Sequence, residues 1–160
     1  MSKIRPFLWF DDKAEEAAHF YASVFSNSRV LAVTRYGDAG PGPKGSVMTV
    51  NFELDGQRFT ALNGGPQFPF TEAVSFVVNC DDQQEVDDYW EKLTSGGGTP
   101  SQCGWLKDRY GLSWQVVPKA LPQLLTQTDA QKSQRVMQAL LQMQKIDISA
   151  LQRAAGISEP

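Results

Sequence analysis

The sequence predicts an α+β fold built from two βαβββ modules followed by a helical extension, and three observations carry that prediction. A short apolar run closed by two aspartates occurs twice, with Asp81-Asp82 standing 70 residues after Asp11-Asp12. Each aspartate pair is followed by apolar residues at helical spacing, so strand, acidic pair and amphipathic helix coincide across the offset and read as an internal duplication. After Pro118 the β-branched texture gives way to Gln, Leu, Met and Ala, which favour helix.

In the first module, Ile4 to Phe10 reads as a strand, with Pro6 tolerable near its start. Asp12 and Glu15 have capping-box spacing, and Ala14, Ala17, Ala18, Tyr21, Val24 and Phe25 mark the buried face of the helix that follows. Arg29 to Tyr36 is strand-like. Gly37 to Gly45 is too rich in Gly and Pro for a helix or a central strand and reads as a connection. Ser46 to Leu54 and Arg58 to Asn63 flank Asp55-Gly56, a dipeptide suited to the positive φ angles of a tight hairpin.

The second module repeats the plan. Ala73 to Asn79 reads as a strand, and Asp82 and Glu85 repeat the capping spacing. Val86, Tyr89, Trp90 and Leu93 recur at i, i+3, i+4 and i+7 before Gly96-Gly97-Gly98 ends the helix. Pro100 to Lys107 and Leu112 to Val117 supply short strands around an Asp108-Arg109-Tyr110-Gly111 turn. In the extension, Val136, Met137, Leu140, Leu141 and Met143 form a stripe expected to be core or dimer seam. Asp147 is placed to cap a last helix that Gly156 ends. The expected organisation is one domain over 1–118, in modules of roughly 1–66 and 67–118. The extension over 119–160 is expected to pack on the domain or on a dimer partner.

Composition narrows the function classes. With 160 residues, 41% hydrophobic and 21% charged, the chain can bury a core, and it has the balance of a soluble globular protein. Its net charge of -3 provides no field that would gather nucleic acid, and no apolar run is long enough for a membrane span, so neither partner is expected. The short apolar run before Asp11 lacks the length of a secretory leader, and Cys80 and Cys103 have no metal or redox spacing. The expectation is a cytoplasmic protein with reduced thiols.

Several stretches together resemble one known branch of proteins. They are Pro6-Phe-Leu-Trp-Phe-Asp-Asp, Ala14-Glu-Glu-Ala-Ala-His-Phe-Tyr with Val24-Phe25, Asp108-Arg-Tyr-Gly-Leu-Ser-Trp-Gln-Val-Val-Pro118, and Arg135-Val-Met-Gln-Ala with Lys145-Ile-Asp-Ile in the tail. The branch is the PhnB-like one of the vicinal oxygen chelate superfamily, whose members often carry the name 3-demethylubiquinone-9 3-methyltransferase. The resemblance extends over nearly the whole chain, tail included. It implies two modules forming a curved mixed sheet around a cleft, and usually a homodimer.

In the metal-dependent members of that superfamily, His or Glu side chains from four strands meet at one divalent ion. The matching positions here are Arg5 or Pro6, Ala61 or Asn63, Ser75 and Gln115. None offers an imidazole, thiolate or carboxylate, so no metal and no other cofactor is expected. His19, the only histidine, is expected beside the buried helix face or at its rim, and it lacks a recognisable catalytic partner. Cys80 and Cys103 read as small packing residues. The aspartate pairs are explained by helix capping. Neither Gly40 to Ser46 nor Gly64-Gly65 has the order of a phosphate-binding loop, and no glycine-rich strand-to-helix turn suits a methyl donor.

The remaining candidates line a pocket. Alternation puts Arg5, Phe7 and Trp9 on one face of the first strand, Ser75, Val77 and Asn79 on one face of its counterpart, and Ser113, Gln115 and Val117 on one face of the last. With Trp105 and Asn63 added, the expected ligand pocket comprises Arg5, Phe7, Trp9, Asn63, Ser75, Val77, Trp105 and Gln115. That lining suits a small, partly apolar organic molecule, and Arg5 would meet a carboxylate of the protein or of an anionic ligand. The residues leave a second reading open, an enzyme of the same superfamily (lyase, isomerase or dioxygenase) or the methyltransferase of the branch name.

Overall fold

The structure, a computed structural model, describes residues 2–157. The chain divides into two compact units, Met1–Phe70 and Thr71–Pro160.

The first unit runs β1 (Phe7–Phe10), α1 (Ala14–Val24), β2 (Arg29–Arg35), β3 (Val47–Leu54) and β4 (Gln57–Asn63). Its sheet has the order β1-β4-β3-β2, with β1 parallel to β4 and the other pairs antiparallel. Asp55 and Gly56, both at positive φ, close the β3–β4 hairpin as the dipeptide predicts. Helix α1 covers one face. Its residues Ala14, Ala17, Ala18, Tyr21 and Val24 are buried, and the three alanines let the backbone approach the sheet. Tyr21 stacks on Phe52 and Phe52 on Phe59, with centroids 6.2 and 5.2 Å apart. Phe25 lies one residue beyond the helix in extended backbone and is half-buried.

The start of α1 departs from the expected capping box. The N-cap residue is Lys13, and no side chain at that position caps. Instead the Ala14 N–H donates to Oδ1 of Asn63, at the end of β4, at 2.8 Å. Asp11 and Asp12 are exposed. His19 is exposed as well, rather than at the buried face, so it is a solvated side chain. The Gly37–Gly45 connection folds back on Tyr36. The Tyr36 and Gly45 N–H groups donate to Ser46 O and Tyr36 O, and the ring fills the space where a Cβ on Gly40 or Gly42 would lie.

The second unit runs β5 (Ser75–Cys80), α2 (Gln83–Thr94), β6 (Thr99–Pro100), β7 (Trp105–Lys107), β8 (Ser113–Pro118), α3 (Leu121–Leu125), α4 (Ala130–Leu141) and α5 (Ile148–Ala154). The order β5-β8-β7-β6, with β5 parallel to β8, reproduces the first sheet's plan. Here the predicted capping box forms. Oδ1 of Asp82 accepts from Glu85 N–H at 2.9 Å, and Oε2 of Glu85 accepts from Asp81 N–H at 2.7 Å. The fold is thus α+β, two four-stranded mixed sheets of βαβββ order with terminal helices.

The tail is three helices, with part of the expected stripe buried on α4. Leu121, Leu124, Val136, Leu140, Ile146, Leu151 and Ala155 form its buried cluster, while Met137 and Leu141 face solvent. Asp147 caps α5 through Ala150 N–H, as its position predicts. Two features fasten the tail to the rest of the unit, one in the turn before β7 and one at the start of α2. Cys103 and Gly104 N–H donate to Met143 O and Gln144 O, and the Gln83 amide donates to Ile146 O while accepting from Ile148 N–H.

Candidate ligand site

Each sheet leaves one face uncovered by its helix. On the second sheet that face carries Ser75, Val77 and Asn79 from β5, Ser113, Gln115 and Val117 from β8, and Trp105 and Lys107 from β7. The register makes Gln115 the direct partner of both Val77 and Trp105. The Gln115 Nε2 donates to Ser75 Oγ at 2.9 Å, so the two neutral polar side chains orient each other. Val77 is 51% exposed, which leaves an apolar step beside that pair. A pocket of about 350 Å³ opens toward the β6–β7 edge, lined by Glu72, Trp105, Lys107 and Ser113 among others. Four expected pocket residues, Ser75, Val77, Trp105 and Gln115, therefore share one face.

The other four lie in the first unit and divide. Phe7 and Trp9 share the uncovered face with their register partners Thr60 and Leu62. Phe7 is 56% exposed, whereas Trp9 is fixed by an Nε1–H bond to Gly65 O at 2.9 Å and an edge contact with Phe68 at 4.9 Å. Asn63 is on the opposite, helix-facing side, next to its partner Phe10. Both ends of its amide are engaged, accepting from Ala14 N–H and donating to Val47 O at 3.2 Å. Arg5 precedes β1 and is exposed, and no carboxylate among the described residues pairs with it. Its guanidinium is therefore open to water and needs no anion to offset burial.

A second groove, about 700 Å³, lies within the first unit between the start of α1, Tyr36 and the Gly64–Gln67 segment. Asp11, Asp12, Glu15 and Glu16 make it acidic, and Asn63 reaches it. Gly64 belongs to the seat of Trp9, since a Cβ there would lie 2.3 Å from the indole. With Gly65 O accepting the indole N–H, this glycine pair serves a tryptophan and cradles no phosphate.

The donor set does not suit a divalent ion. Ser75 and Gln115 are neutral and bonded to each other, Asn63 is engaged on the far face, and Arg5 and Pro6 offer no lone pair for a cation. Among the described residues no three His, Cys, Asp or Glu side chains converge. Both sheets are largely antiparallel, and neither has the doubly wound parallel plan with a glycine turn opening a helix.

Sequence reasoning left two residues here out of the expected site. Asp108, read as part of a surface turn, is 3% exposed. Its Oδ1 accepts from Tyr110 and Leu112 N–H at 2.8 and 3.1 Å, and its Oδ2 from Trp114 Nε1–H at 2.9 Å. Ser113, five residues on, is buried, and its hydroxyl has no hydrogen-bond partner. Alternation had placed Ser113 on the face of Gln115 without marking it as a pocket residue, and the only sequence signal for Asp108 was the Asp-x-x-Gly turn.

Two βαβββ sheets, each with β1-type and β4-type strands parallel, define the vicinal oxygen chelate class of fold. The family model for 3-demethylubiquinone-9 3-methyltransferase matches residues 2–117, and the chain belongs to that PhnB-like family. The match stops short of the helical tail, which the sequence resemblance had included. The PhnB protein of Bacillus cereus, which carries the same methyltransferase label, is 37% identical. That similarity covers 73% of this chain and 99% of the Bacillus protein, with a TM-score of 0.67. A Pseudomonas aeruginosa protein is 22% identical over 74% of this chain and 98% of its own, with a TM-score of 0.61. The fosfomycin resistance protein FosX of Listeria monocytogenes is 15% identical over 79% and 98%, with a TM-score of 0.54. These last two likenesses concern the fold alone. No curated protein matches the sequence. Among the described residues no helix is long and apolar enough to cross a membrane.

Proposed function

We propose that the protein binds a small, partly apolar organic molecule without a metal ion. The observation that carries this reading is the uncovered face of the second sheet, where the Gln115–Ser75 pair, Val77 and Trp105 combine neutral polar groups with apolar and aromatic surface. Phe7 and Trp9 give the first sheet a similar face, and any part Arg5 takes would be at its solvent edge. The proposal includes a homodimer in the cytoplasm. Family likeness supports the first, and two free cysteines, one of them buried, accord with the second.

Native mass spectrometry of protein purified without denaturation tests the ligand, the metal and the dimer together. The expected spectrum is a dimer carrying a small organic adduct and no stoichiometric metal. Zinc, manganese, nickel or iron at one per chain would overturn the metal-free reading in favour of a lyase, isomerase or dioxygenase. The family label favours one specific alternative, methyl transfer. A saturable melting shift with S-adenosylmethionine would revive it, and methyl transfer to an acceptor would then displace the binding-protein reading.

A further inference from the structure

Ser113 opens β8 and is 1% exposed, and its Oγ is the one buried side-chain nitrogen or oxygen among the described residues with no hydrogen-bond partner. Buried hydroxyls are almost always paired, and this one belongs to a residue that lines a pocket, where a bound molecule can supply the partner. The pocket is the one of about 350 Å³ at the β6–β7 edge. Lys107 is the cross-strand partner of Ser113, so both side chains leave the sheet on the same face, about 5 Å apart at Cβ. Trp105, two residues before Lys107, presents its indole on that face too.

A hydroxyl beside an ammonium matches the two oxygens of a carboxylate, each donor meeting one oxygen. The protein already holds a carboxylate against one of these two donors, Lys107, and leaves the other, Ser113, without a partner. Glu72, outside any helix or strand and exposed, is ion-paired with the Lys107 ammonium. An exposed ion pair adds little net stability, so a ligand can take Glu72's place at small cost.

We propose that this pocket binds a small monocarboxylate with a flat apolar body, and that Glu72 is a tethered surrogate for the ligand's carboxylate. One ligand oxygen accepts from Ser113 Oγ–H, the other accepts from Lys107 Nζ, and the flat body lies along Trp105. The inference rests on the small-molecule reading above and narrows its chemistry.

The test titrates benzoate and its neutral analogue benzamide into the full-length protein, followed by amide chemical shifts. Ser113→Ala, Lys107→Met and Glu72→Gln are checked for folding by circular dichroism. Benzoate is expected to perturb β7 and β8 saturably and to bind about tenfold tighter than benzamide. S113A and K107M should each weaken it about fivefold or more, and E72Q should tighten it severalfold by removing the competitor. Equal affinity for benzamide, or weakening by E72Q, would overturn the carboxylate assignment while leaving small-molecule binding intact. Absence of any perturbation by benzoate would overturn it too. The co-purified adduct in the native spectrum would then judge the wider reading separately.

Discussion

Trp114 donates its indole N–H to Oδ2 of Asp108 at 2.9 Å, and both side chains are only 3% exposed. The other carboxylate oxygen receives Tyr110 and Leu112 N–H, so one buried acid closes the β7–β8 turn and fixes the largest ring of the second core. Asp108→Ala strands three donors and should cost about 3 kcal/mol in urea unfolding. A loss below about 0.5 kcal/mol, the range of ordinary surface substitutions, would show that the turn does not depend on this carboxylate.

The two helices that follow the aspartate pairs should respond differently to loss of those acids. Asp82→Ala removes a true cap and should cost about 1 kcal/mol. Asp12→Ala touches no cap and should stay within about 0.5 kcal/mol, whereas Asn63→Ala should cost about 1–2 kcal/mol. Thermal unfolding of the three variants ranks them. An Asp12 loss as large as that of Asp82 would contradict the assignment of the α1 cap to Asn63.

Ser113→Ala replaces a buried hydroxyl that lacks a partner with a methyl group. The variant should be as stable as the parent or up to about 1 kcal/mol more stable, since desolvation is relieved and no bond is lost. A lowered melting temperature in ligand-free protein would mean that the hydroxyl is satisfied in solution.

Burial, reinforced by the negative charges of Glu85, Asp81 and Asp82, pushes the Cys80 thiol up to about 12. Folded protein should therefore leave Cys80 unreactive toward a disulfide reagent at pH 8, with at most one thiol per chain titrating. The same shift makes stability depend on alkaline pH. Below the unfolded-state value near 9 the thiol is protonated in both states. Between there and about 12 only the unfolded chain loses the proton, so stability falls as pH rises, by about 1.4 kcal/mol per unit at most. Cys80→Ala should flatten that part of the curve measured by urea unfolding, and an unchanged slope would exclude this thiol as the cause.

Much of the architecture was legible because it is written in local pattern. Alternation correctly grouped Ser75 with Val77 and Gln115 with Ser113, Asp55-Gly56 marked its hairpin, and the alanine stripe of α1 named its own buried face. The hidden features depend on distant residues. Asn63 sits on β4 and caps a helix that starts 49 positions earlier, and Gln83 clasps backbone 63 and 65 positions later. Asp108 stands in a turn whose sequence permits either exposure or burial, and only packing against Trp114 decides between them. The near-identity of the two acidic pairs also misled, since one caps and the other does not. Of the expected pocket residues, those joined by strand register stay together, while Asn63 turns to the opposite face.

The Asn63 amide has a bearing on how the chain is made. A nascent polypeptide that has left the ribosome only as far as its first helix lacks the side chain that finishes that helix's leading end. Short isolated helices are marginal in water, so this eleven-residue segment has little stability of its own before the rest of its module is present. The opening helix therefore gains its cap only once the strand that closes the sheet has been made.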